Sequence, residues 1–398
     1  MSDALRLLQM VVFAALSLSV MAGVRITHSL YALANHRPEW LVGTLVAMFA
    51  LFPMMVAVPA GRWIDRVGDT QPIRCGAALL FLGALLACFS QAIWLLYLVG
   101  VLVGSGFILV LLVTQHVTGH LGTPAQRTAN FTWFALAMSV ATTISPVLAG
   151  FMIEHVSHVA AYRVFAALAL LLLLCVLLPM PGQADALDAP DAQQAPEAQE
   201  ADTAAPPLRG SLRELFWHTP RLRPIYLTVI LIASAWDSFM FLTPIVGTRL
   251  GFSAATIGLI IGSFSLATFV IRFLMPWITR RFGPWKIIHA VLLITAGCFL
   301  LYPWLHQARP LMLLAFVLGL ALGASQPNVL SLLFQAAPSG RAGEAVGVRV
   351  TLSNASQVGL PLLFGTLGSQ LGLLPIFLLM SVLLFGGTYL IRRPAAKN

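Results

Sequence analysis

The chain has 398 residues, 59% of them hydrophobic and 9% charged, with a mean hydropathy of +0.89. A soluble domain carries about a quarter of its residues as charges, so this composition excludes one and indicates a polytopic membrane protein; unbroken apolar runs such as Phe165 to Leu178 also exclude the alternation of a transmembrane β-barrel. The formal charge of +9 forms no nucleic-acid patch, because the basic residues stand at the ends of apolar spans.

Met1 to Gly23 resembles a signal peptide, with Arg6, an apolar run and small residues, but the apolar stretch continues through Arg25 to about Ala34. It is expected to remain as the first helix. Further spans are expected near 41–63, 72–93, 94–117, 129–152 and 160–179, after a first near 8–33. A second set follows near 224–247, 254–279, 285–305, 309–335, 343–369 and 371–391. The expected fold is all-α, about twelve transmembrane helices in two pseudo-symmetric bundles of six. Between the sets, Gly182 to Gly210 interleaves Ala, Pro and Gln with acidic residues and cannot bury enough apolar surface to offset chain entropy. The expected organisation is 1–181 as one bundle, 182–210 as a flexible linker and 211–398 as the second bundle. Ser211 and Glu214 have the spacing of a capping box, opening a short interfacial helix. Cys75, Cys88, Cys175 and Cys298 are each isolated within apolar runs, a pattern of packing residues and not of disulfides or metal ligands.

An even number of spans puts both termini on one side. With that side in the cytoplasm, the basic loops, including Arg62, Arg66, Arg74, Arg280, Arg281 and Lys286, lie inside, and only Arg37, Arg163, Arg249 and Arg309 lie outside. The positive-inside rule therefore predicts an inner-membrane protein with cytoplasmic termini and a cytoplasmic linker.

The halves repeat at an offset of about 215 residues: Gly43 matches Gly258, Gly68 Gly283, Ile73 Ile288, Gly104 Gly319, Pro146 Pro361 and Gly150 Gly365. Glycine and proline have backbone roles that are hard to replace, so these coincidences indicate duplication.

Two halves, a linker and the loop after span 2 together resemble the major facilitator superfamily, of the twelve-helix bacterial type. That loop matches the family pattern G-x-x-x-D-R/K-x-G-R-R/K at Gly61, Asp65, Arg66 and Gly68, and departs from it at Asp69 and Thr70. The resemblance implies a conformational latch, with Asp65 docking near the start of span 11, where a helix dipole favours a carboxylate; the alternative is a solvated loop pair. The copy in the second half has Arg280 where Asp65 would fall. Ser145 to Gly150, with Pro146 and Gly150 in place, is half a match to the G-P-x-x-G-G sequence that many antiporters of the family carry in span 5. Gly100 stands where many proton-coupled members have an arginine, and Gly100 with Gly104 instead forms a G-x-x-x-G packing face.

Charges inside spans cost about 2.5 to 3.5 kcal/mol at a helix centre and so tend to face a partner or a watery cavity. Arg25 and Asp237 occupy nearly equivalent places in the two halves, and His28 and Ser29 extend a polar stripe from Arg25. The resemblance places spans 1, 4, 7 and 10 around a central cavity. Arg25, His28, Asp237, Arg349 and Asn328 are the candidate substrate-binding or coupling residues; a static Arg25–Asp237 ion pair is the alternative. Arg349, Ser353 and Ser356 share one face, as do Ser325 with Asn328, and Thr132 with Ser139 and Thr143, patterns that serve helix packing as readily as ligand binding. Arg272 is expected to snorkel towards the interface and Glu344 to cap span 11. His116 and His120, four apart with no carboxylate or cysteine nearby in sequence, are not taken as a metal site.

No G-x-S-x-G, H-E-x-x-H or phosphate-loop motif occurs, so no enzyme and no cofactor is expected. The leading expectation is a monomeric secondary transporter in the lipid bilayer, exporting a small organic molecule in exchange for protons. The excess of buried arginines makes a substrate with an anionic group the natural class. The alternatives are uptake of an organic anion or other metabolite, and a transport-inactive sensor or assembly subunit.

Overall fold

The computed structural model describes residues 2–89, 92–121, 124–178, 222–336 and 342–392. In lipid every backbone polar group must be satisfied within its own segment, and the described chain meets this with helices throughout. They are α1 (Ser2–Ala34), α2 (Glu39–Val67), α3 (Thr70–Phe89), α4 (Ile93–His120), α5 (Pro124–His155) and α6 (His158–Leu177) in the first half. The second half holds α7 (Arg223–Arg249), α8 (Ala254–Arg281), α9 (Pro284–Leu301), α10 (Ala308–Gly323), α11 (Ser325–Ala336), α12 (Ala342–Leu371) and α13 (Leu374–Arg392). The linker and the segment with Ser211 and Glu214 lie outside the described residues.

Local chemistry sets the boundaries. Ser157 and Ser253 accept from the backbone N–H groups of Ala160 (3.0 Å) and Thr256 (3.3 Å), capping α6 and α8. Gly68, at φ +79°, ends α2 in a conformation that side chains with a Cβ rarely adopt. The tenth expected span is divided into α10 and α11 at Ala324. Pro327 lacks the N–H that would close on Gly323, Ser325 donates to the Leu322 carbonyl (2.6 Å) and Asn328 to that of Ala324 (2.8 Å), so side chains replace the missing ladder there.

Among the described residues, 11 spans are long and apolar enough to cross a membrane, with α10 and α11 counted as one. The remaining helix, α12, has the length, 30 residues, but Arg349, Ser353, Asn354, Ser356 and Gln357 make it too polar for that class. Each half has an aromatic core: Tyr162 and Phe165 are wholly buried in the first, and Phe239 stacks on Phe264 (4.6 Å) and Tyr302 on Phe377 (4.7 Å) in the second.

The halves meet along α2 with α12 and α5 with α8. The repeated glycines lie on these seams. A Cβ on Gly43 would strike the carbonyl oxygen of Pro361, and one on Gly258 would strike that of Pro146, so the two seams are copies of each other. Gly104 and Gly319 play the matching role inside the halves, against the backbone of Phe49 and of Phe264. The G-x-x-x-G face of α4 therefore packs on α2, as its sequence predicts.

Both seams are tightest at one end of the molecule. There Arg249 pairs with Glu39 (2.5 Å), and Glu154 accepts from the Ala255 N–H (2.9 Å) at the start of α8. In the orientation the basic loops predict, this closed end is the outer one.

Candidate functional site

A cavity of about 170 Å³ lies towards the opposite end, walled by α7, α8, α10, α11 and α12. From α7 come Val229, Ile232, Trp236 and Asp237; from α8, Arg272; from α10 and α11, Leu322, Ser325, Gln326 and Val329; from α12, Arg349, Ser353 and Gln357. The α12 residues recur every four positions, which puts them on one helical face.

Asp237 is 3% exposed and lies 14 residues from the start of the 27-residue α7, near the middle of its span. Ser356 of α12 is 3.4 Å from the Ser234 hydroxyl one turn earlier on α7, which brings α12 against this part of α7. Arg25, from the other half, acts on Asp237 through space, yet the two form no ion pair within 4.0 Å. The static structural pair is thus not formed in this state. Trp236, beside Asp237, is held edge-on by Phe264 (4.8 Å, 77°) and gives the cavity an apolar wall.

Arg272 is placed differently from its sequence expectation. It donates to the Ser139 hydroxyl of α5 (2.9 Å) and to the Gln326 amide oxygen (3.3 Å), joining the two halves inside the cavity. Its helix runs on to Arg281, nine residues at about 1.5 Å each, too far for the stem to snorkel to the end. Arg349 lines the cavity, and its Nε is closed off from solvent without a hydrogen-bond partner.

Two sequence candidates turn elsewhere. His28 is wholly buried in the first half, with Nδ1 near the Val24 carbonyl (2.9 Å) and the Tyr162 hydroxyl (3.1 Å), its ring edge-on to Phe49 and Tyr162. Asn328, 1% exposed, serves the break at Ala324 and is not on the cavity wall. Asn328 and the Nδ1 of His28 turn to carbonyls of their own helices, while the His28 Nε2 is buried without a hydrogen-bond partner, a choice the residue spacing does not reveal.

The last two turns of α2 hold Gly61, with open space where a Cβ would stand, and the exposed Arg66, and Gly68 makes the turn that follows. The side chains of Asp65 and Glu344 lie outside the described residues, and with them the expected docking at span 11. Asp69, where the family has a basic residue, is 3.0 Å from His116 on α4. A carboxylate therefore does stand beside His116, brought from 47 positions away. Among the described residues no group of three or more potential metal ligands is assembled.

The family model described as Major Facilitator Superfamily matches residues 6–361. The chain belongs to this superfamily. Its members are transporters and not enzymes, and this one is a multi-pass membrane protein of the same kind. Among solved superfamily structures, a bacterial homolog of the human lysosomal transporter Spinster, in an inward-facing and occupied conformation, aligns with a TM-score of 0.77 at 13% identity over 98% of this chain and 97% of that one. The nucleoside transporter NupG aligns with a TM-score of 0.79 at 12% identity over 97% and 99%. These likenesses concern the fold. The class B tetracycline resistance protein of Escherichia coli is 28% identical over 130 residues, 32% of this chain and 30% of that protein's length.

Proposed function

We propose that this superfamily member is a monomeric secondary transporter of the inner membrane, with both termini cytoplasmic, that moves a small organic solute by alternating access and is coupled to protons through Asp237. The observation that carries the proposal is the setting of Asp237: an acidic side chain buried in mid-span, on the cavity wall, facing Arg25 of the opposite half. When ionised, Asp237 attracts Arg25 across the junction. Beyond 4 Å, at an effective dielectric of about 20, that attraction is below about 4 kcal/mol, enough to bias two conformations without locking either. Protonation removes it, so the proton on Asp237 and the relative position of the halves become linked. The latch at Gly61, Asp65, Arg66 and Gly68 would bias the same equilibrium from the cytoplasmic side.

Two readings of direction follow from different observations. Export in exchange for protons is favoured by Pro146 and Gly150 in α5 and by the partial likeness to a tetracycline resistance protein. Movement of an organic anion together with a proton, as in uptake, is favoured by the excess of arginine around the cavity. The test is solute flux in proteoliposomes with and without an imposed proton gradient. Asp237→Asn should abolish gradient-driven accumulation and spare counterflow; full gradient-driven transport in that variant would refute the coupling role.

A further inference from the structure

The cavity has an imbalance of charge that the chain itself leaves unresolved. Arg272 and Arg349 line it, Arg25 of the other half acts on its Asp237 through space, and Asp237 is its one carboxylate among the described residues. Among the described residues, none of the three arginines forms an ion pair. Arg272 spends two of its donors on the neutral groups of Ser139 and Gln326, and Arg349 has a buried Nε with no partner. A guanidinium offers five donors in a fixed fork suited to carboxylate or phosphate. From this geometry we infer that the transported solute is a small amphipathic organic anion, its acidic group received by Arg349 and Arg272 and its apolar body laid against Trp236, Ile232 and Leu322, and that it occupies the cavity together with the proton of Asp237. The inference rests on the reading of this cavity as the transport site.

The second part follows from spacing. Arg349 precedes Ser356, which lies against Ser234 one turn before Asp237, by seven residues on α12, about 10 Å along the axis. An anion on Arg349 therefore lies near Asp237 without touching it, and two like charges about 10 Å apart at an effective dielectric near 20 disfavour each other about tenfold or somewhat more. The charged groups facing Asp237 are Arg25 on α1, Arg272 on α8 and Arg349 on α12, while α10 and α11 bring Ser325 and Gln326 and no charge. On the other helices packed against α7, Lys286 and His289 of α9 lie in its first two turns, Arg392 ends α13, and Glu39 begins α2 at the closed end. Anion binding thus favours a neutral Asp237, and by linkage protonation tightens the anion by the same factor. Ligands that bind cooperatively on one carrier cross in the same direction, which selects cotransport over exchange.

The test uses the full chain purified in detergent, with benzoate, benzamide and benzylamine as probes that share a ring and differ in charge. Benzoate should raise the melting temperature and bind at least tenfold more tightly than benzamide, with benzylamine inactive. Arg349→Gln should weaken benzoate at least tenfold and leave benzamide unchanged, and Arg349→Lys should restore part of the loss. Benzoate affinity should rise about tenfold from pH 8 to pH 6 and become flat in Asp237→Asn. Preference for benzylamine, no binding by any probe, or an Arg349→Gln variant that binds benzoate normally would overturn the anion site; an affinity that falls towards pH 6 would overturn joint occupancy. Normal benzoate binding with gradient-driven transport retained in Asp237→Asn would instead refute the coupling proposal and leave the anion site standing.

Discussion

Replacing Gly365 by alanine should open the outer end of the protein. The new Cβ would stand 2.8 Å from the Glu39 carbonyl oxygen and 3.0 Å from the Trp40 Cα, both backbone atoms of α2. Backbone cannot swing aside as a side chain does, so α12 and α2 must separate at this crossing. Overpacking of this kind costs about 1 to 3 kcal/mol, and the cost falls on the state in which the two helices touch. Alanine's gain in helix propensity is common to both states and cancels. The ratio of closed to open outer ends should therefore drop by about 5- to 150-fold. Val42, wholly buried beside the same seam, provides the reporter. With Cys75, Cys88, Cys175 and Cys298 replaced by alanine, Val42→Cys should be alkylated by an external membrane-impermeant maleimide faster by that factor when Gly365→Ala is present. Gly150→Ala, its copy across the repeat, should act alike, since its Cβ would stand 3.0 Å from the Ala255 Cα. Gly297→Ala, with nothing within 4 Å of its Cβ, is the control. Unchanged labelling in Gly365→Ala, or an equal increase in the control, would refute the assignment of this seam as the outer closure.

Reporter fusions at Ala189 and Ala395 should both read cytoplasm and one at His36 the outside; a periplasmic signal at Ala189 would overturn the orientation. Asp65→Asn should slow exchange between the two openings of the cavity while abundance stays near normal, measured by the same maleimide labelling as a time course; unchanged exchange would leave the loop with a topogenic role only.

How much of this was legible in the sequence depended on what kind of atom carries the role. Gly43, Gly150, Gly258 and Gly365, with Pro146 and Pro361, were found from their spacing, because close backbone approach tolerates few residue types and leaves a mark at a fixed offset. Gly68 and Gly283 share the offset but not the conformation, φ being +79° in one and −68° in the other, so register alone does not guarantee an equivalent turn. Asp237 and Arg349 were legible as charges that a span does not hold without cause. His28 and Asn328 looked equivalent to them, yet a histidine or asparagine can satisfy itself on a carbonyl four residues back, and only packing tells which does so. Arg272 was misread because its partners, Ser139 and Gln326, lie on other helices, 133 and 54 positions away. The Asp69 to His116 contact joins α4 to the turn after α2, a juxtaposition that no local pattern contains.

The polarity of α12 has a consequence for how the protein is made. The residues that line the cavity from this helix, Arg349, Ser353 and Gln357, are three of the five that make it too polar for the class of segments apolar enough to cross a bilayer alone. A translocon that judges each segment by its partitioning would release α12 poorly by itself. Its entry into the membrane should be helped by the helices it packs on, α2 and α7, which precede it in the chain. Biogenesis of this chain should then be cooperative at its next-to-last helix, and the polar face that lines the cavity is what would make the order of synthesis matter.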